Sequence, residues 1–588
     1  MESGNRLVRK TFYGMLIVNV ISMVSGIMCV MIDAIVTGQF LGTEAVTAAG
    51  LINPVLMLSN VLGALLGPGV SVVCTRYLGM AKPKRVNEVF SLVVITQLIV
   101  FGLISALIFA SAPAIAHALG GGSGSERITD MMTEYMHGFA FAVPPMCINL
   151  GLSGLMIMDN DRRRGIAAMM VTLIGDLIFD LANALIFRGG MLGMALATAL
   201  SHFAGLAVVL THFLKKDRVL RFTRQGLRIG DLKEVMLCGV PSALTLGCQA
   251  LRTICFNMVL LSVAGAGAVA ALSVSVSAFS VFLGVALGVF VTTGTLCSLL
   301  YGEEDRNGLV EALTVALRTV LLCFAVLTVL MLAFARQIAG FFLDAAAAEE
   351  LAQGARFIRF TALQFLLNAA SFPLSGAYQG TRQLKRNYGI DLMREGGFPV
   401  ICCVSLALLF GVRGFEFGLS LAGALTLLLC VMIPRLALGR FTLDPAQLLL
   451  LPASFGARPE ELFEASMQTM DDVMETSARV AAFCESKGAP RRTGTVTALF
   501  VEEMAGNTVQ HGFREGRAGS IDLRLIYSED AKIIRLRDNG RPFDPLDWLE
   551  RNHPEDPLSG AGIRILVGMA KDVRYIPALG LNNLVIRL

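Results

Sequence analysis

Charge is what this chain of 588 residues has least of. Asp, Glu, Lys and Arg make up 16% of it, where a soluble domain carries about 25%. The deficit is uneven: severe up to about Arg435, gone after about Arg458. One chain therefore meets two solvents, a long apolar region and a polar one of about 130 residues. The net charge of +4 comes without a basic tail or a basic-aromatic array, so nucleic acid is not an expected partner. The twelve cysteines are scattered through apolar segments, and no C-x-x-C has a partner pair. They read as reduced thiols on helix surfaces rather than a metal or disulfide framework. Nothing matches G-x-x-x-x-G-K-[ST], which excludes a P-loop nucleotide site. The first apolar run, from Thr11, lacks a small-residue cleavage site and reads as a retained membrane helix rather than a signal peptide.

What is present in abundance is hydrophobic length: 55% of the residues are hydrophobic. A helix needs roughly 20 apolar residues to cross the hydrocarbon core. Candidate spans centre near residues 22, 60, 102, 145, 176, 202, 250, 283, 322, 365, 402 and 423, which predicts twelve. Loops on one side hold Arg76, Lys82, Lys84 and Arg85, then Arg162 to Arg164, then Lys215 to Arg228, then Arg306, then Arg382, Lys385 and Arg386. The alternate loops hold only Arg127, Arg188, Arg336 and Arg413. By the positive-inside rule both termini are expected in the cytoplasm, and the protein is expected to be multi-pass in the plasma membrane.

The apolar region repeats itself. Gly42-x-x-Ala45-x-x-Ala48 returns as Gly265-x-x-Ala268-x-x-Ala271. Tyr77-Leu78-Gly79 with Val86-x-Glu88 returns as Leu300-Tyr301-Gly302 with Leu309-x-Glu311, and Leu152-Ser153-Gly154 as Leu374-Ser375-Gly376. All three share an offset of 222 to 223 residues, predicting two six-helix halves (about 8–220 and 230–440) with the same direction in the membrane. Parallel repeats around a central cavity are an architecture of secondary transporters. M-I-D-A-I-V-T-G-Q-F-L-G-T-E-A-V-T-A-A-G-L-I-N-P, Met31 to Pro54, resembles the first-helix signature of the MATE family of multidrug and toxin extrusion transporters. Gly67 to Phe90 resembles its second-helix signature and Gly190 to Ser201 its sixth-helix entry, so the likeness spans roughly residues 8 to 440.

Ionisable groups inside spans cost about 2.5–3.5 kcal/mol each on insertion scales and ask for a reason. The first half holds Asp33, Asp176 and Asp180, the last two at i, i+4 on one helix face. Asn149 and Thr198 are candidate neutral oxygen ligands beside them. The repeat offset sets Phe256, Phe398 and Cys402 opposite the three acids, so the acidic cluster is expected in one half only. The MATE resemblance implies Asp33 and Asp180 as the pair that binds the coupling H⁺ or Na⁺. Asp176 stands where those relatives usually have asparagine. Arg252 is the one base deep in the seventh span; it reads as snorkelling or as one member of a structural ion pair, with pairing to a coupling carboxylate or to substrate as the alternative.

The polar end follows a connector, residues 441–457. Within 458–588, Glu460 to Ser486 and Thr493 to His511 read as helices, Ile521 to Ile526 and Lys532 to Arg537 as a hairpin around S-E-D, Gly562 to Ala570 as a helix, and Val573 to Ile576 and Leu584 to Arg587 as strands. That order predicts a two-layer α+β domain with helices on one face of a mixed sheet. In V-E-E-M-A-G-N-T-V-Q-H-G-F, Val501 to Phe513, residues Glu503, Asn507 and His511 form one helical stripe. A carboxylate and an amide oxygen so spaced suit Mg²⁺, a hard cation. L-R-D-N-G-R-P-F-D-P puts Asp538 at a strand end beside a glycine turn at Gly540, placed to accept from an adenine amino group. G-A-G-I-R-I-L opens a helix with Gly560 and Gly562, whose free amides suit phosphate.

In this order and spacing the three pieces resemble the GHKL ATP-binding fold of histidine kinases, gyrases and anti-sigma-factor serine kinases, the last branch most. The resemblance implies ATP and Mg²⁺ as cofactors, Glu503 as general base, Asn507 as Mg²⁺ ligand, Asp538 and Gly540 at the adenine, and Gly560 and Gly562 in the phosphate lid. Asn582 and Asn583 depart from it, standing where many relatives carry threonine. No phosphoacceptor-histidine helix precedes the domain, which argues against an ordinary histidine kinase. Two expectations follow: an ion-coupled antiporter exporting small organic compounds, cationic or not, with a regulatory or serine-kinase-like ATP-binding domain, or a membrane receptor controlling a serine kinase that acts on an anti-sigma-antagonist-like partner.

Overall fold

A computed structural model describes residues 6–120, 126–215, 218–342, 348–513, 519–528, 532–551 and 561–588. Among them are eleven helices long and apolar enough to cross a membrane, from Leu7–Leu41 to Leu384–Leu438. The last is 55 residues long and does not run straight. At Gly411 the backbone turns to φ 65°, ψ −151°, and the chain folds back. A β-carbon at Gly418 would lie 2.7 Å from the Cα of Cys403, whereas fifteen residues of straight helix would separate them by about 22 Å. Eleven helices therefore make twelve passes. A similar break at Gly265, φ 76°, divides the 74-residue helix Ile229–Gly302.

The internal repeat is written in the backbone more plainly than in the side chains. Left-handed φ values occur in pairs: Gly42 with Gly265, Ala81 with Glu304, Asn160 with Arg382 and Arg188 with Gly411. Each pair is 222 or 223 residues apart. Five of these eight residues carry a β-carbon that this region disfavours, so the same turn geometry recurs at equivalent helix ends without the same residue being needed.

The two halves meet along the second helix (Thr43–Gly79) and the long helix Ile229–Gly302. Glycine allows the approach: a β-carbon at Gly79 would sit 2.1 Å from the Leu299 carbonyl oxygen, and one at Gly302 2.2 Å from that of Arg76. Arg76 Nη2 meets Glu234 Oε1 at 2.5 Å, and Arg85 Nη2 meets Asp231 Oδ1 at 2.8 Å. Ser298 Oγ donates to the Val72 carbonyl at 2.6 Å.

The connector packs against the second half. Tyr378 and Gln383 donate to the carbonyls of Leu448 and Leu449 at 2.8 and 2.7 Å, and Phe455 stacks on Tyr301. The C-terminal domain then begins with a strand where a helix was expected. Strand β1 is Leu462–Met467, and the helix starts only at Met470, where Thr469 and Asp472 form a capping box. Strands β2 (Ile521–Tyr527), β3 (Lys532–Asp538), β4 (Asp572–Ala578) and β5 (Leu581–Arg587) complete a sheet of order β1-β2-β3-β5-β4. Every pairing is antiparallel, not mixed as expected. Most of the S-E-D turn lies outside the described residues. Helices Met470–Ser486 and Arg491–Asn507 cover one face, burying Leu523, Leu525, Ile534, Leu536 and Ile586 with Val480, Phe500 and Val501.

The other face is covered as well. Ile576, Ala578, Leu579 and Val585 join the core of the membrane-helix region, so the sheet is the middle layer of three.

Candidate functional sites

The first site is a cavity of about 460 Å³ among the membrane helices. Asp33, from helix Arg6–Val36, and Asp176, from helix Arg162–Ala182, line it with Asn149, Thr198 and His202. Asp180, one turn after Asp176, is fully buried behind them. One carboxylate oxygen from each of the three acids lies within 4.8 Å of the others, so the three predicted acids do converge. Ser201 Oγ, which sequence reasoning missed, donates to Asp176 Oδ1 at 3.0 Å. Asn149 Nδ2 donates to the His202 carbonyl at 2.9 Å, and the Thr198 hydroxyl to the Met194 carbonyl at 3.3 Å. Neither carboxylate oxygen of Asp180 has a hydrogen-bond partner among the described residues.

Among the described residues no lysine, arginine or histidine forms an ion pair with any of the three acids. The second half shows what a compensated cluster looks like. Arg394 bonds Asp391 and Glu395, both at 2.9 Å, and Arg252 reaches Glu395 at 3.3 Å. Two acids and two bases cancel, and Arg252 is the ion-pair member its position suggested. Asp391 and Glu395 went unremarked in the sequence because they lie off the repeat offset from Asp176 and Asp180. Two buried like charges and a third, Asp33, half-buried beside them with no base cannot all stay ionised: one or more must hold a proton or share a cation. An all-oxygen set suits a hard cation such as Na⁺ as well as H⁺.

The second site is a cavity of about 560 Å³ in the C-terminal domain, within the ~300–1,000 Å³ of ligand pockets. Glu503, Asn507, His511 and Asp538 all line it. The helix bearing the first two ends at Asn507 and widens into a π-turn, Thr508–Gly512, so the regular stripe stops one residue short of the expected His511. Apolar Leu536, Ile563 and Leu584 form walls beside Asp538. Asp538 Oδ1 accepts from the Gly540 amide at 2.7 Å and from Asn582 Nδ2 at 2.8 Å. Tyr575 OH donates to Asn582 Oδ1 at 2.8 Å and accepts from the Phe543 amide at 3.1 Å. Burial pushes the Asp538 carboxyl up to about 6, against the two hydrogen bonds that lower it.

Asn582, the departure from the expected threonine, therefore fixes the carboxylate that would meet adenine. Gly540 is needed for closeness rather than a left-handed turn: a β-carbon there would come within 3.0 Å of Asp538 Oδ1 and of the Gly512 carbonyl oxygen. Gly560 lies outside the described residues. Gly562 lies in helix Ala561–Met569, whose Ile563 reaches the cavity. Arg541 and Tyr575 also line it and were missed, because neither sits in a recognisable spacing. The residues fit a nucleotide: an acceptor held at the closed apolar end, and a carboxylate and an amide on one helix for a magnesium ion.

Two matches place the chain. The MatE family model covers residues 16–182 and 241–390, and the chain belongs to that family. A second match, described as a histidine kinase-like ATPase domain, covers residues 467–587. The multidrug export protein MepA of Staphylococcus saprophyticus is 24% identical over 452 residues, 74% of this chain and 96% of that protein. A solved MATE structure in complex with MaL6 superposes with a TM-score of 0.69 at 20% identity, over 74% of this chain and 96% of that one. The outward-facing conformation of a multidrug resistance MATE transporter gives 0.68 at 20% identity, with the same coverage. The chain is a membrane transporter of the MATE fold carrying a C-terminal histidine kinase-like ATPase domain.

Proposed function

We propose that this protein is an antiporter that exports small organic cations in exchange for H⁺ or Na⁺, and that its C-terminal domain, on the cytoplasmic side, binds ATP with Mg²⁺ to regulate transport. The observation that carries the reading is the uncompensated trio Asp33, Asp176 and Asp180 within 4.8 Å. A cation or proton on these carboxylates satisfies a charge deficit that no group among the described residues meets. Entry of a cationic substrate displaces it, which is the exchange an antiporter needs. The name multidrug export protein, borne by the MepA relative, agrees with a cavity lined by Met15, Met23 and Tyr135 beside the acids, since flexible thioether side chains repack around different ligands.

In the C-terminal domain Asp538 would receive the adenine amino group, Asn507 would hold Mg²⁺, and Glu503 would serve as general base, all three lining one cavity. Mg²⁺ would neutralise phosphate charge there. A receptor that controls a serine kinase would need the same nucleotide site but no ion-coupled flux, and the acidic trio favours the transporter.

The test is ethidium flux in liposomes carrying the full chain, under an imposed H⁺ or Na⁺ gradient. We expect one gradient to drive ethidium, and Asp33→Asn and Asp180→Asn each to lower the driven rate by about 10-fold or more, as loss of a buried charge-bearing ligand implies. Equal rates in the variants, or no flux under either gradient, would remove the antiporter reading.

A further inference from the structure

The sheet of the C-terminal domain spends its second face on the transporter. Strand alternation sends Leu536 and Asp538 of β3 toward the nucleotide cavity and Arg535 and Arg537 the other way. Arg537 is ion-paired with Glu303 and Asp305, and Arg535 Nη1 lies 2.9 Å from Glu303 Oε1. From β2, Arg524 Nη2 donates to the Glu304 carbonyl at 2.8 Å. Glu303 to Asp305 form the turn that ends the long helix of the second half.

The same sheet also grips the first half. Arg535 donates to the Gly79 carbonyl at 3.3 Å, and Arg574 of β4 to that of Ala81 at 2.5 Å. The Leu579 amide donates to the Met158 carbonyl at 3.1 Å, and Arg162 donates back to the Leu579 carbonyl at 2.6 Å. Ala81 and Glu304 are a repeat-related pair, so the sheet sits across the pseudo-symmetric turns of both halves. Beneath it the halves are closed together by the Gly79–Gly302 crossing and the Arg76–Glu234 and Arg85–Asp231 ion pairs.

A carrier that alternates access must part its halves on each side in turn. A sheet bonded to both halves opposes parting on its own side, and must let go of one half when they separate. We propose that the C-terminal domain is a clamp across the two halves, and that nucleotide in the Asp538 cavity tightens it. Nucleotide contact and clamp contact are successive residues of one strand, Asp538 and Arg537. A ligand that ties β3 and β5 to helices Arg491–Asn507 and Ala561–Met569 holds the arginine face in the shape that fits the turn. By linkage, ATP then favours the state closed on this side and slows export. The nucleotide arm rests on the ATP-binding reading above; the clamp itself does not.

The experiment uses the full chain in nanodiscs, with spin labels at Lys84→Cys and Lys385→Cys, exposed positions on the first and second halves. The three partly exposed cysteines, Cys29, Cys255 and Cys323, are changed to serine. Electron–electron distance measurement gives the ratio of short to long separations, and a fluorescent ATP analogue gives binding on the same samples. We expect ATP with Mg²⁺ to raise the short-to-long ratio by roughly 5-fold or more, the low end of allosteric coupling. Asp538→Ala should abolish that response. Arg535→Glu with Arg537→Glu should lower the ratio with or without ATP. Restoration by Glu303→Arg in an Arg537→Glu chain would separate the clamp from simple misfolding. An unchanged ratio in the double reversal, with the domain still binding ATP, would overturn the clamp. Binding of ATP that leaves the ratio unmoved would overturn the nucleotide arm alone. Absence of ATP binding would overturn the ATP-binding reading, leaving the arginine variants to decide the clamp.

Discussion

Asp538 shows how much one residue's surroundings settle. Two donors occupy Oδ1, which leaves the other oxygen to accept from adenine only while the group is ionised. With the carboxyl pushed up to about 6, binding that needs the carboxylate is at full strength near pH 7.5 and falls as pH drops through 6. A pKa near 6 implies affinity lower by about 10-fold at pH 5. Titration of the full chain with a fluorescent ATP analogue from pH 5 to 8 checks this. Asp538→Asn should bind weakly with a flat pH profile, and Asn582→Ala should keep the slope but lose affinity. At the membrane site Asp176 differs from its two partners in having the Ser201 hydroxyl as a donor. Asp176→Asn, the residue that the MATE resemblance implies at this position, should keep ethidium transport and change only which gradient drives it. Loss of all flux in that variant would make Asp176 part of the coupling pair. The convergence of the three membrane acids was legible in the sequence because acids inside apolar spans are costly and therefore few. Ser201 was not, because a serine in a helix of small residues looks like packing.

At the scale of elements, strand β2 carries a titrating contact. Asp522 lies opposite Arg537 in the β2–β3 register and accepts from Ser466 Oγ at 3.0 Å. Burial pushes it up to about 7, with Arg537 opposing and the Asp305 and Glu464 charges adding to the rise. An acid raised above its unfolded value contributes stability that is complete near pH 4 and lost as pH climbs through 7. Asp522→Asn removes that loss, so its melting temperature should match wild type at pH 4 and exceed it by about 2–4 °C or more at pH 8, the shift expected for ~1 kcal/mol. A variant that melts lower at both pH values would contradict the sign. The two strands of this hairpin were readable from alternation in I-D-L-R-L-I and K-I-I-R-L-R. Strand β1 was not: L-F-E-A-S-M is six residues long and runs into a capped helix, so the apolar spacing merges with the helical one. Nor did the alternation reveal that the polar face would be buried. Arginines two apart on a strand look like a solvated face until Glu303 and Asp305, more than 200 residues away in sequence, come to meet them.

At the scale of the whole molecule, the fusion joins two equilibria, and thermodynamics fixes how they answer each other. If bound ATP favours closure on the clamp side by some factor, closure must favour ATP binding by the same factor. Gly302 offers a way to vary closure without touching the nucleotide cavity. A side chain there meets the Arg76 carbonyl oxygen at 2.2 Å from its β-carbon, and backbone on both sides leaves no flexible group to yield. Gly302→Val should push the halves apart on the clamp side and raise the long-distance population. The same variant should weaken ATP affinity by no more than the coupling factor measured from the distance ratio, although its nucleotide cavity is unchanged. Binding measured on wild type and Gly302→Val, in the nanodisc samples used for distances, tests that bound. Opened halves with unaltered ATP affinity would mean that the two domains share contacts and no energy.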